Sequence, residues 1–190
     1  MDFQAALGSD EYYKMLESVL GARRTQHQLE EAVVNAPFKD RRTTTLLGLG
    51  IVVLLLVNKK EGTIDRIALA NTELAKGTVE MSAKPFKEIK IPINYTRNFI
   101  VRAIRDQHYM ITSDWQYMFI PALTPEEARF NQAGGGIACS VIYPLNHVLD
   151  GGAMIFSYYE PIERIGKDHH NFMTRYTSMV QKAFQKLSVS

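Results

Sequence analysis

The chain carries one cysteine and one tryptophan, almost no net charge, and no apolar run of membrane length. Each scarcity removes a class of protein. A lone Cys139 excludes an internal disulfide and any cysteine-based zinc cluster. A formal charge of +2, with lysine and arginine dispersed except at the pairs 23–24, 41–42 and 59–60, offers no stripe for a polyanion, so no nucleic-acid partner is expected. The opening MDFQAALGSDEYY has neither a basic leader nor an apolar one, so no secretory signal is read and the cytoplasm is expected. The most apolar stretch, TTTLLGLGIVVLLLV over residues 43–57, is shorter than the roughly 20 residues a spanning helix needs. Its glycines and branched residues predict instead a central strand buried on both faces, with no membrane span. Catalytic and phosphate-cradling motifs are also missing. There is no GxSxG and no Walker loop, and Gly134-Gly135-Gly136 precedes a strand pattern, whereas a phosphate cradle needs a helix N-terminus.

What is present is a core. At 46% hydrophobic and 22% charged over 190 residues, the chain can bury one substantial core, and two full domains would be cramped. Cap-type residues Ser9 and Asp10, followed by Tyr12, Leu16, Val19, Leu20, Leu29, Ala32 and Val33, predict a helix over 9–35 that Asn35-Ala36-Pro37 stops. Residues 1–40 thus form an N-terminal helix and connector, and 41–190 the main domain. After the strand at 43–57, Asn58-Lys59-Lys60-Glu61-Gly62 reads as a hairpin loop and 63–70 as the return strand. A weakly amphipathic segment covers 71–84, and 86–93 alternates like an edge strand interrupted by Pro92. A short helix over 94–106 and a short strand over 108–112 follow. Residues 113–133 read as a long loop with a short helix begun at Thr124-Pro125-Glu126-Glu127. Two buried strands come next, at 137–143 and 152–159, joined by a loop holding Pro144 and Asp150-Gly151-Gly152. A long amphipathic helix closes the chain after Pro161.

The last third resembles the C-terminal half of a GAF domain. Ser140 and Pro144-Leu145 match the segment that ends one strand, Gly151-Gly152 the turn, and Pro161 and Phe172 the approach to the closing helix. The strand, polar turn and strand of 43–70 resemble the start of the family's sheet. The likeness covers about 41–187. It implies an α+β fold, with an antiparallel sheet of five or six strands, terminal helices on one face and short helices and loops on the other. The PAS type is the competing architecture; the long final helix and the Pro144-Leu145 hairpin favour GAF. The glycines that precede the family's short helix are replaced by Asn94, Tyr95 and Asn98, so a glycine-lined ligand mouth is not carried over.

The resemblance implies a non-enzymatic sensory or regulatory module in signal transduction, one that binds a small molecule or a protein partner and signals through its terminal helices. Ligands, where the family has them, are covered by the segment equivalent to 113–130. Arg102, Asp114, Trp115, Tyr117 and Arg129 are therefore the expected ligand-binding residues, with no cofactor specified. The bland alternative is that Trp115, Tyr117, Met118 and Phe119 simply roof the core.

The enzymatic alternative is free methionine sulfoxide reductase chemistry, which works through more than one cysteine. Bilin attachment uses a Cys-His pair in a helix, and Cys139-Ser140 in a strand does not match it. The family's cyclic-nucleotide signature is not found. Cys139 reads as structural. His169 and His170 are adjacent and diverge by about 100° around a helix, so they cannot act as a metal pair; His27, His108 and His147 are isolated, and no metal site is expected. Phe172, Met173, Tyr176, Met179, Val180, Ala183, Phe184 and Leu187 make an apolar stripe wide enough to suggest a homodimer through the terminal helices.

Overall fold

The computed structural model describes residues 10–146 and 148–189. Ser9 and His147 lie outside them. Six strands form one sheet, β1 (Leu49–Asn58), β2 (Thr63–Leu69), β3 (Ile91–Pro92), β4 (Met110–Thr112), β5 (Cys139–Leu145) and β6 (Gly152–Tyr158). Their order is β3-β2-β1-β6-β5-β4, and every neighbouring pair is antiparallel. The expected α+β, GAF-like architecture is what the chain adopts. β1 is central, and successive side chains feed opposite cores: Val52, Leu54 and Leu56 enter one, while Ile51, Val53 and Leu55 enter the other.

The first core is closed by α1 (Asp10–Gly21), α2 (Gln26–Asn35) and α8 (Lys167–Val189). The predicted continuous helix over 9–35 is two helices. Gly21 ends the first, and the Thr25 side chain accepts from the Gln28 N–H to start the second. Local capping there wins over the apolar periodicity, which thins in the same place. In α8, Phe172, Met173, Tyr176, Met179, Val180 and Phe184 are all buried within the chain, in the core shared with Leu16, Val33 and Phe156.

The predicted strand over 43–57 is also divided. Arg42–Leu47 forms α3, and Gly48 at φ 66° takes the left-handed turn that ends it, so the strand begins only at Leu49. The edge strand expected over 86–93 shrinks to β3, because Pro92 cannot donate to a ladder and Pro85 opens a 3-10 turn at Phe86–Glu88. β4 is likewise shorter than the predicted 108–112. Pro144 belongs to β5 rather than to a loop; it pairs with Ala153 and lies past the end of β4, where no N–H is asked of it.

The second core is roofed by α4 (Glu73–Glu80), α5 (Phe99–Asp106), α6 (Gln116–Phe119) and α7 (Pro125–Gly134). Residues 113–133 therefore carry two helices, not one. Thr124 and Glu127 cap α7 reciprocally, the Thr124 side chain accepting from the Glu127 N–H and the Glu127 carboxylate from the Thr124 N–H. α4 and α7 meet backbone to backbone: a Cβ on Gly77 would lie 2.3 Å from the Gly134 carbonyl oxygen. Among the described residues no helix is long and apolar enough to cross a membrane.

Candidate functional site

The site develops from an irregularity in β2. Its register against β1 shifts between Leu54 and Leu55, so that Leu54 faces Ala68 while Leu55 faces Arg66. Ile67 is the extra residue of a β-bulge. Ile67 and Ala68 consequently join the core under the terminal helices, and Arg66 joins Ile64 beneath the α4–α7 roof.

There the Arg66 side chain is enclosed by Thr78, Val79, Ser82, Phe86, Trp115, Phe119 and Asn131, around a remnant cavity of only about 10 Å³. Arg66 is 8% exposed and its Nε has no hydrogen-bond partner. The groups that do face its guanidinium are rings, Phe86 with its centroid 4.0 Å from Cζ and Phe119 at 5.1 Å. Aromatic faces attract a cation but accept no conventional hydrogen bond. Burial lowers the Arg66 pKa to about 9, which still leaves the group charged at neutral pH.

The surrounding polar groups are internally satisfied. Thr78 Oγ1 donates to the Ala75 carbonyl at 2.7 Å, Ser82 Oγ donates to the Lys84 carbonyl, and the Asn131 amide lies 3.1 Å from Ser82 Oγ. Trp115 forms the far wall. Its indole N–H donates to Ser140 Oγ at 2.8 Å, Ser140 and Ser157 share a further 2.8 Å hydrogen bond, and the Trp115 backbone N–H is received by Gln132 Oε1. A tryptophan can be buried this deeply because its one donor finds an acceptor.

The five residues expected to bind ligand do not converge. Trp115 alone reaches the inner cavity. Asp114 accepts two bonds from Arg129, at 3.0 and 2.8 Å, and one each from the Gln116 backbone and side-chain amides. Burial pushes the Asp114 carboxyl up, but these donors outweigh it and hold the group below its usual range. Asp114 and Arg129 thus neutralise one another at the surface. Arg102 and Tyr117 line a separate open cleft of about 410 Å³ with Tyr95, Arg97, Phe99 and Gln116. Tyr117, 48% exposed, stacks on Phe99 at 5.2 Å, and Asn98 pins α5 to α6 by donating to the Met118 and Ile120 carbonyls. α6 therefore partitions the two spaces, with Phe119 inside and Tyr117 outside.

Arg66 escaped the sequence reading, although a signal for it existed. In TIDRIAL it alternates with Ile64 and so occupies a position that the two-residue period turns inward. Cys139, on β5, is fully buried; its thiol contacts the Glu160 carbonyl at 3.4 Å, and burial pushes its pKa up to about 12. No cluster of histidine, cysteine and carboxylate side chains capable of holding a metal occurs among the described residues.

A curled antiparallel sheet between two helical layers, with short helices roofing one face, defines an α+β domain. The particular fold is GAF-like. No protein-family model and no curated protein matches the sequence. Solved structures do. The GAF domain of an Acinetobacter phosphoenolpyruvate-protein phosphotransferase is 6% identical with a TM-score of 0.61, covering 95% of this chain and 96% of that one. A methyl-accepting chemotaxis protein fragment is 9% identical with a TM-score of 0.59, covering 95% of this chain and 100% of that one. The free methionine-R-sulfoxide reductase of Neisseria meningitidis is 12% identical with a TM-score of 0.56, covering 95% and 93%. At these identities the likeness concerns the fold, which a chemotaxis protein, a phosphotransferase domain and a reductase share.

Proposed function

We propose that the chain is a non-enzymatic, cytoplasmic sensory or regulatory module that binds a small molecule between its sheet and the α4–α7 roof and transmits occupancy through its terminal helices. One observation carries this reading: a charged guanidinium, Arg66, buried beneath that roof with no counter-ion among the described residues. Burying an unpaired charge is costly, and a domain that only needed a core at this position could place an aliphatic side chain there. Ligand binding at the sheet face couples directly to output, because β1 supports both cores and a shift on one of its faces reaches α1, α2 and α8 on the other. Chemotaxis and phosphotransferase proteins among the structural neighbours support a role in signalling.

The enzymatic reading requires a reactive thiolate. A buried Cys139 with a raised pKa does not supply one, and the chain has no second cysteine. Native protein should therefore react with a thiol reagent only at the rate of its unfolding; fast, stoichiometric labelling at neutral pH would reopen the reductase reading.

A homodimer through the terminal helices remains part of the proposal. The main α8 stripe is used inside the chain, so the contact must use the rim of the groove of about 640 Å³ floored by Leu20, Leu29, Ala183 and Leu187. Sedimentation equilibrium at micromolar concentration tests it, and a 21.6 kDa species that stays monomeric refutes it. The binding reading is tested by thermal shift across nucleotides, amino acids and tetrapyrroles. A ligand at 100 times its dissociation constant adds about 2.7 kcal/mol, a rise of roughly 5–11 °C for a domain of this size. A flat response across the whole panel refutes small-molecule sensing.

A further inference from the structure

The walls that surround Arg66 define the chemistry that would pair with it. Of the groups near it, Thr78 and Ser82 are already donating to carbonyls, and Phe86 and Phe119 present only ring faces. Among the described residues the nearest sequence neighbour with opposite charge is Asp65, which the pleat sends to the other face; it accepts from Thr63 Oγ1 and Asn58 Nδ2 and lies 3.9 Å from Lys90. Among the described residues no carboxylate forms an ion pair with Arg66.

We propose that Arg66 is the anchor of a ligand site for a small organic anion, whose carboxylate or phosphate group pairs with the guanidinium after displacing the Phe86 ring. The inference rests on the small-molecule reading above and specifies the chemistry of that same site. A planar guanidinium with five donors matches the two oxygens of a carboxylate or phosphate, and burial, with Arg66 only 8% exposed, makes that pairing stronger than it would be in open water. The remnant cavity of about 10 Å³ is too small for any such group, so the site must open. The two rings over Arg66 differ in how they can yield. Phe119 is 3% exposed and packed into the second core, whereas Phe86 is half-buried between exposed Pro85 and Lys87, on the 3-10 turn that links α4 to β3. Phe86 is the gate. Trp115 lines the same cavity and is the chain's one tryptophan, so its emission reports on the site without a label.

The test uses the full chain, with tryptophan fluorescence and thermal midpoint read together, at constant ionic strength set with sodium chloride. Acetate, succinate and citrate form the carboxylate arm; inorganic phosphate and adenosine monophosphate form the phosphate arm; glycerol, glucose and putrescine form a neutral and cationic arm. A saturable change in Trp115 emission with a raised midpoint is expected in one of the first two arms, and which arm responds distinguishes the two sources of charge. R66M should abolish the response, R66K should weaken it at least tenfold by removing the bidentate geometry, and F86A should tighten it several-fold because no ring has to move. R66K, which keeps the charge, decides the matter if R66M does not fold. An anion response equal in the wild type, R66M and R66K would overturn the proposal, as would no anion response at all in the wild type. A response confined to the neutral or cationic arm and indifferent to R66K would overturn it while leaving small-molecule sensing intact.

Discussion

Two buried tyrosines offer opposite outcomes for the same chemical change. Pro37 has no N–H to give to the carbonyl four residues earlier, that of Val33, so the end of α2 leaves a buried acceptor orphaned. Tyr176, on α8, meets that need, its hydroxyl donating to the Val33 carbonyl at 2.7 Å. Tyr158, on β6, is as deeply buried, but its hydroxyl has no partner. Removing the Tyr176 hydroxyl leaves the Val33 carbonyl unsatisfied in a dry core, so Tyr176→Phe should cost about 1–3 kcal/mol. Removing the Tyr158 hydroxyl deletes a group that lost its water on folding and gained nothing, so Tyr158→Phe should be neutral or stabilising by about 1 kcal/mol. In both cases the ring, and with it the packing against Phe156 or His169, is preserved. Urea unfolding followed by circular dichroism checks the pair. With a slope of roughly 2 kcal/mol per M, Tyr176→Phe should lower the midpoint by about 0.5–1.5 M at unchanged slope, and Tyr158→Phe should leave it in place or raise it. Equal losses in both variants would refute the reasoning, because they would show that the van der Waals contacts of the hydroxyl oxygen, not its hydrogen-bond satisfaction, set the cost.

Gly77→Ala should destabilise although alanine is the better helix former: the propensity gain of about 1 kcal/mol is set against a Cβ lying 2.3 Å from the Gly134 carbonyl oxygen, and thermal unfolding should show a net loss. His169 supplies a pH dependence. Burial lowers its pKa, while its ring bonds to the Leu47 carbonyl and the Gly166 N–H, an arrangement that suits the neutral imidazole. A depressed base binds its proton less readily folded than unfolded. Its contribution is therefore complete above the unfolded value near 6.5 and is lost as pH falls from there toward the folded pKa. His169→Gln should flatten that part of the stability profile between pH 7 and 5, measured by urea titration; an unchanged slope would refute the assignment.

The periodicities that survive without tertiary context were legible in the chain. β1 could be recognised as buried on both faces because an unbroken run of Ile, Val and Leu admits few other placements. The capping box of Thr124 and Glu127 is a local arrangement and was equally readable. The breaks were harder. Gly48 ends a short helix inside an apolar run, and that choice depends on Glu160 and Tyr159, which close around the glycine from far along the chain. The site depended most on three dimensions. Asp114 and Arg129 looked like ligand groups by their position in the sequence, and only folding brings them within 3 Å to cancel one another. Arg66 looked like one more arginine. Its burial follows from the alternation of β2, but its separation from Ala68 follows from a bulge against β1, and its lack of a counter-ion among the described residues from the walls that α4, α6 and α7 build around it. A sequence states which charges a chain has, whereas their pairing is a property of distance, which only the packed structure sets.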